Sequence, residues 1–246
     1  MKILLYENEI DHFFTAVYHS YYSHKDAERF SQEAESVTML DEGIFVEKDS
    51  SLAGKVRQGI KKHGGNAVLC DIEDAFCSGN PQKGQIIAEY LAVLFKNGRK
   101  TREMFAHPAV IAFNDVLNKV RMEGMRLVGF IRLQELEGGV FYGYFTSDND
   151  QLERILPHFI DRFNTMKLLL HDTKRNKMVY YDGQHAYRIT PPEGATVVLS
   201  ENEEAFQSLW RLYFNAVSIE SRKNLKQQMR FLPKKYRDFL LEFTDL

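Results

Sequence analysis

The sequence predicts an α+β protein in which a helical N-terminal part leads into a β-hairpin, helix, β-hairpin antiparallel core and then a helical, basic C-terminus. Three observations predict it. Apolar residues recur at helical spacing over Ile10–Tyr21 and again over Leu152–Phe163. Strand-like runs cluster between Leu127 and Ile189 instead of alternating with helices, which argues against a doubly wound parallel sheet. Finally, Arg222 to Arg237 holds seven basic residues and no acidic one. Over 246 residues, 44% hydrophobic and 27% charged content is ordinary globular usage. The chain reads as one domain over 1–246, subdividing into a mainly helical 1–107, an antiparallel sheet with a helix over 108–190, and a helical 195–246.

Lys2–Tyr6 reads as a short strand, with Asn8 as N-cap of the helix that follows. Thr38–Val46 reads as a hairpin turning at Asp41-Glu42-Gly43. A helix over Leu52–His63 stops at Gly64-Gly65, because glycine enters the left-handed conformation at little cost. Asn66–Cys77 and Gly84–Phe95 are two more helices, parted by Ser78-Gly79-Asn80-Pro81. Neither glycine-containing stretch has the G-x-x-x-x-G-K-S/T or G-x-G-x-x-G spacing of a phosphate-binding loop.

A long helix after Pro108 carries Val110, Phe113, Val116, Leu117, Val120 and Met125. Leu127–Leu136 and Val140–Phe145 are β-rich runs around Glu137-Gly138-Gly139, a hairpin signal. In the next helix Pro157 implies a kink or a start near that residue. Lys167–His171 and Met178–Tyr181 pair as strands, Asp182-Gly183 turns, and Ala186–Ile189 is a third strand. Pro191-Pro192-Glu193-Gly194 is linker-like. Ser200-x-x-Glu203 forms a capping box before Phe206, Leu209, Trp210, Tyr213 and Phe214.

Two places concentrate charge. The basic segment presents Arg222, Lys223, Lys226, Arg230, Lys234, Lys235 and Arg237, interleaved with Phe231 and Tyr236. Clustered cations supply phosphate contacts, and aromatic rings add stacking. The competing reading is a solvated helix face. Leu225, Met229, Phe231, Leu232 and Tyr236 suggest that part of the segment packs inward.

The second concentration gathers Glu123, Arg132, His158, Asp161, Arg162, His171, Asp172 and Arg175 around the strands. Two His and two Asp near one another suit metal binding or general acid–base chemistry. The spacing matches no metal signature, however, and structural salt bridges explain it as well. No G-x-S-x-G nucleophile motif is present. Cys70 and Cys77 lie seven apart, roughly 10 Å along a helix at 1.5 Å per residue, too far for a disulfide. They read as two buried free thiols in a reducing compartment. Met1–Glu7 is too short an apolar stretch for a signal peptide, and no run is long enough to cross a bilayer, so a cytoplasmic location is expected.

The stretch Arg222-Lys223-Asn224-Leu225-Lys226-x-Gln228-Met229-Arg230-Phe231-Leu232-Pro233-Lys234-Lys235-Tyr236 resembles the C-terminal hallmark of a bacterial family of uncharacterised, probable DNA metabolism proteins. The likeness extends to Gly129-Phe130-x-Arg132, His158-Phe159-x-Asp161-Arg162-Phe163, His171-Asp172-x-x-Arg175 and Phe14-Thr15-Ala16-Val17-Tyr18. It departs at Met125, where members often carry His, and at Glu7-Asn8-Glu9, where a Gly-Ser-type turn is usual. The resemblance implies a gene neighbour of the radical-SAM DNA modification or repair type, and relatives fused to a domain like the uracil-DNA glycosylases. It assigns no catalytic residue. It implies no cofactor either, since two cysteines cannot hold a four-cysteine iron–sulfur cluster.

Three functions therefore stand as expectations. The first is a DNA-binding accessory protein in repair or modification that uses the basic segment. The second is a glycosylase- or nuclease-like enzyme that uses the His/Asp/Arg residues. The third is an interaction module for the radical-SAM partner.

Overall fold

A computed structural model of the chain describes residues 1–32, 38, 40–192, 194, 197–219 and 224–241, the side chains of 225, 228, 229, 238 and 239 excepted. The chain falls into two compact units, Met1–Met122 and Glu123–Leu246.

The first unit begins with β1 (Lys2–Leu5), α1 (Ile10–Tyr22), β2 (Ala27–Ser31) and β3 (Glu42–Phe45). It continues with α2 (Ser50–Gly64), α3 (Asn66–Phe76), α4 (Lys83–Asn97) and a 3-10 turn (Gly98–Glu103), and it holds most of α5 (Pro108–Phe130). β1 is the central strand of a three-stranded sheet and pairs parallel with both β2 and β3. Leu4, Phe13, Phe14, Ile60, Ile72, Leu91 and Phe113 meet in its core. The helical spacing that predicts α1 thus reflects a face buried on Phe13, Phe14 and Val17.

Three expectations change here. The hairpin over Thr38–Val46 is not formed, because Gly43, read as a turn residue, sits inside β3 opposite Ile3. Asn8 does not cap α1; its side chain accepts a 2.8 Å hydrogen bond from Lys83 Nζ, and Glu9 holds the cap position without a side-chain bond. Cys70 is exposed and Cys77 half-buried, so neither is a core thiol. The stop at Gly64-Gly65 holds, with Gly65 at φ +87°. Asp49 caps α2 by accepting from the Ser51 and Leu52 amides.

The second unit carries a five-stranded sheet in the order β4 (Gln134–Leu136), β5 (Val140–Phe145), β6 (Lys167–Asp172), β7 (Lys177–Tyr181), β8 (Ala186–Ile189). α6 (Leu152–Arg162) connects β5 to β6; α7 (Glu201–Val217), α8 (Leu225–Phe231) and a 3-10 segment (Lys234–Phe239) follow. The mixed helix-and-strand class and both hairpins are as expected, and Gly138 and Gly139 take positive φ in the first turn. The sheet is not wholly antiparallel. β5 and β6 run parallel, as a strand–helix–strand crossover requires.

α5 runs on through Leu127–Phe130, which the sequence reads as strand; the Ile131 amide still donates to the Leu127 carbonyl, so β4 begins only at Gln134. α6 begins at Leu152 and contains Pro157. Only the Ser200 half of the capping box forms. Ser200 Oγ accepts from the Glu203 amide at 3.1 Å, while the Glu203 carboxylate accepts from the Glu135 amide of β4.

One sheet face, with Phe145, Leu168, Leu170, Val179 and Tyr181, packs with Leu127, Ile155, Phe159, Leu232, Tyr236 and Leu240 as the core of this unit. Register places Tyr142, Tyr144, Leu169, His171, Met178 and Tyr180 on the opposite face. Among the described residues no helix is long and apolar enough to cross a membrane.

Candidate functional site

The parallel pair β5–β6 and the start of α6 would ordinarily offer a ligand site beyond the carboxyl ends of the strands. Here the loop after β5, Ser147-Asp148-Asn149-Asp150, fills that place with internal bonds. Glu123, buried on α5, accepts from the Asp148 amide (3.0 Å), the Asn149 amide (2.9 Å) and Asn149 Nδ2 (2.6 Å). Lys235 donates to Glu123 Oε1 at 2.7 Å and to Asp148 Oδ2 at 2.6 Å. Arg175 donates to Asp172 Oδ2 at 2.9 Å and to the Asp148 carbonyl at 2.8 Å.

Burial alone would raise the Glu123 pKa, but the Lys235 ammonium and the two amides outweigh it and hold the carboxyl below its ordinary value. Lys235 is displaced upward: burial opposes its charge, and the hydrogen bonds to Asp148 and Glu123 overcome that opposition. Glu123, Asp172, Arg175 and Lys235 therefore hold one another and the loop. The sequence gives no signal for Asp148 and Asn149 beyond a short polar run.

At the other end of the strands lies a pocket of about 490 Å³. Val128, Ile131, Leu133, Phe141, Phe159, Phe163 and Met166 supply its apolar wall, and Arg132, His158 and Arg162 its polar groups. Each element contributes by its geometry. α5 ends at Phe130, and Arg132 Nη1 reaches back to the Gly129 carbonyl at 2.8 Å, closing the end of the helix. β5 turns Phe141 towards the core face. On α6, Phe159 is buried, while His158 and Arg162 fall on its exposed side.

His171 stands apart from both groups. It occupies the opposite sheet face, with Nδ1 2.9 Å from the Tyr142 hydroxyl and Nε2 buried, with no partner at hydrogen-bond geometry among the described residues. Burial lowers its pKa, against smaller opposing effects of Asn176 and Asp172. Asp161 is exposed and outside the pocket wall. The expected His/Asp/Arg cluster thus separates. Glu123, Asp172 and Arg175 form the loop anchor, Arg132, His158 and Arg162 share the pocket, and strand alternation sends His171 and Asp172 to opposite faces. Among the described residues no group of three or more His, Cys, Asp or Glu is placed to hold a metal ion.

Residues 81–242, more than half of the chain, match the family model described as a domain of unknown function, DUF4130. The chain belongs to the DUF4130 family. No curated protein matches it. The matched DUF4130 region includes the anchor, the pocket and the basic segment.

Within that segment, Arg222 and Lys223 lie outside the described residues. Lys226, Arg230 and Lys234 are exposed and have no carboxylate partner among the described residues, whereas Lys235 is paired. Arg237, half-buried, donates to the Leu232 carbonyl at 3.4 Å. Leu232 and Tyr236 are buried as the sequence suggests, but Phe231 is 67% exposed; the side chains of Leu225 and Met229 are outside the description. Arg126 is exposed on α5, close enough to Tyr236 to influence its hydroxyl.

Proposed function

We propose that this DUF4130 protein binds nucleic acid as an accessory factor in DNA repair or modification, using the exposed cations of its C-terminal segment. The supporting observation is a division of labour along one short stretch. Leu232, Lys235 and Tyr236 fasten the segment to α5 and the β5 loop, and Lys226, Arg230 and Lys234 remain exposed without carboxylate partners among the described residues. Exposed cations on a segment fastened to the fold are what phosphate contacts require. The resemblance of the segment to the probable DNA metabolism proteins gives the same direction.

A salt titration of single-stranded DNA binding tests this reading. Replacing Lys226, Arg230 and Lys234 by Gln lowers the slope of log affinity against log salt by about 2, at roughly 0.7 per phosphate contact. An unchanged slope and affinity would reject it.

A second reading, a docking module for a radical-SAM partner, is favoured by α7. Phe206, Leu209, Leu212 and Tyr213 are between 58% and 73% exposed on that one helix. Apolar stripes of that kind mark interaction surfaces. A complex with that partner that persists at high salt and is lost in Phe206→Ser/Leu209→Ser supports it.

A further inference from the structure

The pocket at the end of α5 has a composition that selects its ligand. Its wall carries three phenylalanines, Phe141, Phe159 and Phe163, beside aliphatic Val128, Ile131 and Leu133. Its polar groups are two guanidinium groups and one imidazole, and no Asp or Glu among the described residues lines it. Among the described residues Arg162 has no carboxylate partner, and the one hydrogen bond of Arg132 is to the Gly129 carbonyl. Phe159 and Phe163 lie nearly parallel, at 15°, with Arg162 over the Phe163 ring.

An apolar, aromatic slot whose guanidinium groups pair with no carboxylate among the described residues fits a flat ring that bears an anion, since rings stack on Phe and on Arg while a guanidinium grips phosphate in bidentate fashion. The volume of about 490 Å³ falls within the range of small-ligand sites.

We infer that this pocket takes a single nucleotide, with the base against Phe159 and Phe163 and the phosphate at Arg132 and Arg162. That the nucleotide belongs to a strand rests on the nucleic-acid reading above; that the pocket takes one does not. Within a strand, the pocket would hold an unstacked or terminal base, at the low cost that single strands and damaged pairs allow. The segment bearing Lys226, Arg230 and Lys234 would track the flanking phosphates. Phe130, one residue from the pocket-lining Gly129 and Ile131, packs on Tyr236 of that segment with ring centroids 5.3 Å apart.

The test uses the full chain and two probes: free deoxynucleoside monophosphates by calorimetry, and a short single-stranded oligonucleotide with one 2-aminopurine, by fluorescence. The expected result is monophosphate binding that weakens about tenfold or more in Arg132→Gln/Arg162→Gln, with nucleosides and inorganic phosphate each binding more weakly still than the monophosphate. Phe163→Leu, a milder change that keeps the core filled, lowers the 2-aminopurine response while leaving the salt slope intact. The Lys226→Gln/Arg230→Gln/Lys234→Gln variant loses strand affinity and keeps monophosphate binding.

Failure of wild type to bind any monophosphate, equal binding by the double arginine variant, or binding of inorganic phosphate as tight as that of the nucleotide overturns the inference. Strand binding by a wild type that binds no monophosphate overturns the inference and leaves the accessory-factor reading standing. Monophosphate binding with no strand binding sinks that reading and upholds the pocket as a site for a free nucleotide.

Discussion

The Lys235 ammonium lies 2.7 Å from Glu123 Oε1, across 112 residues of sequence, and ties the C-terminal segment to the last turns of α5. Only 6% of the Glu123 side chain is exposed, so its charge depends on this partner and on two backbone amides. A charge so placed is costly to leave alone.

Lys235→Met is therefore expected to destabilise the second unit by about 2–3 kcal/mol, below the range for fully buried pairs because the lysine side chain keeps 31% exposure. Glu123→Gln/Lys235→Met is expected to cost less than the sum of the single changes, by roughly 1 kcal/mol or more, since the double variant leaves no orphaned charge. Urea unfolding of the four proteins checks this; strict additivity would show that the pair is not coupled.

The same pair sets an acid limit. The Glu123 pKa is lowered on folding, so its contribution is present above the unfolded value, near 4.5, and is lost as pH falls through the lower folded value. Lys235, raised above 10.5, contributes fully below that value and loses its contribution only as pH rises through the folded one. Stability measured from neutral pH downward is expected to decline below pH 4.5 more steeply in wild type than in Glu123→Gln.

His171 titrates with the opposite preference for charge. Burial lowers its pKa from 6.5, so the fold favours the neutral ring, and its contribution is present above 6.5 and falls away as pH drops from there towards the folded value. The Tyr142 hydroxyl, 2.9 Å from Nδ1, shares the site. An imidazole titration followed by NMR is expected to give an apparent pKa below 6.5, moving upward in Tyr142→Phe if the hydroxyl donates to the neutral ring. A His171 value at or above 6.5 in the folded protein would contradict the burial argument.

Much of this was legible where local chemistry decides. Gly138 and Gly139 mark a turn because both need positive φ, and the stripe over Leu152–Phe163 marks α6 because one face must be buried. Strand direction was not legible. The alternation in β5 and β6 is the same for parallel and antiparallel neighbours, and only the length of the α6 crossover hints at the answer. Leu127–Phe130 reads as strand because Leu, Val and Phe suit either state, and continuation of α5 depends on burying Leu127 in the core of the second unit. Which charged residues meet was not legible for a related reason. Neighbours in sequence such as His171 and Asp172 part to opposite faces, whereas Glu123 and Lys235 meet only through the fold.

Tyr236 separates two contributions that Lys235 combines. Its ring is fully buried against Phe130, and its hydroxyl lies 3.4 Å from Glu123 Oε1, a long and weak bond. Tyr236→Phe is expected to change stability by less than about 1 kcal/mol, and Tyr236→Ala to cost about 3–5 kcal/mol through the cavity it leaves. If Tyr236→Phe proved as damaging as Tyr236→Ala, the hydroxyl rather than the packed ring would be what fastens the segment.

Gly143 controls the pocket from behind its wall. It lies in β5 on the core face, and a Cβ there would sit 2.8 Å from Leu133 Cδ2, 3.0 Å from Ile131 Cγ2 and 3.2 Å from Leu170 Cδ2. Leu133 and Ile131 line the pocket, so the crowding is relieved most readily by pushing them into its space. Overpacking of this kind costs about 1–3 kcal/mol. Gly143→Ala is accordingly expected to fold with reduced stability and a narrower pocket, weakening monophosphate binding while leaving the salt slope of strand binding in place. Thermal unfolding together with calorimetric titration checks both halves. A Gly143→Ala protein that loses stability but binds the nucleotide as wild type does would show that the wall yields away from the pocket.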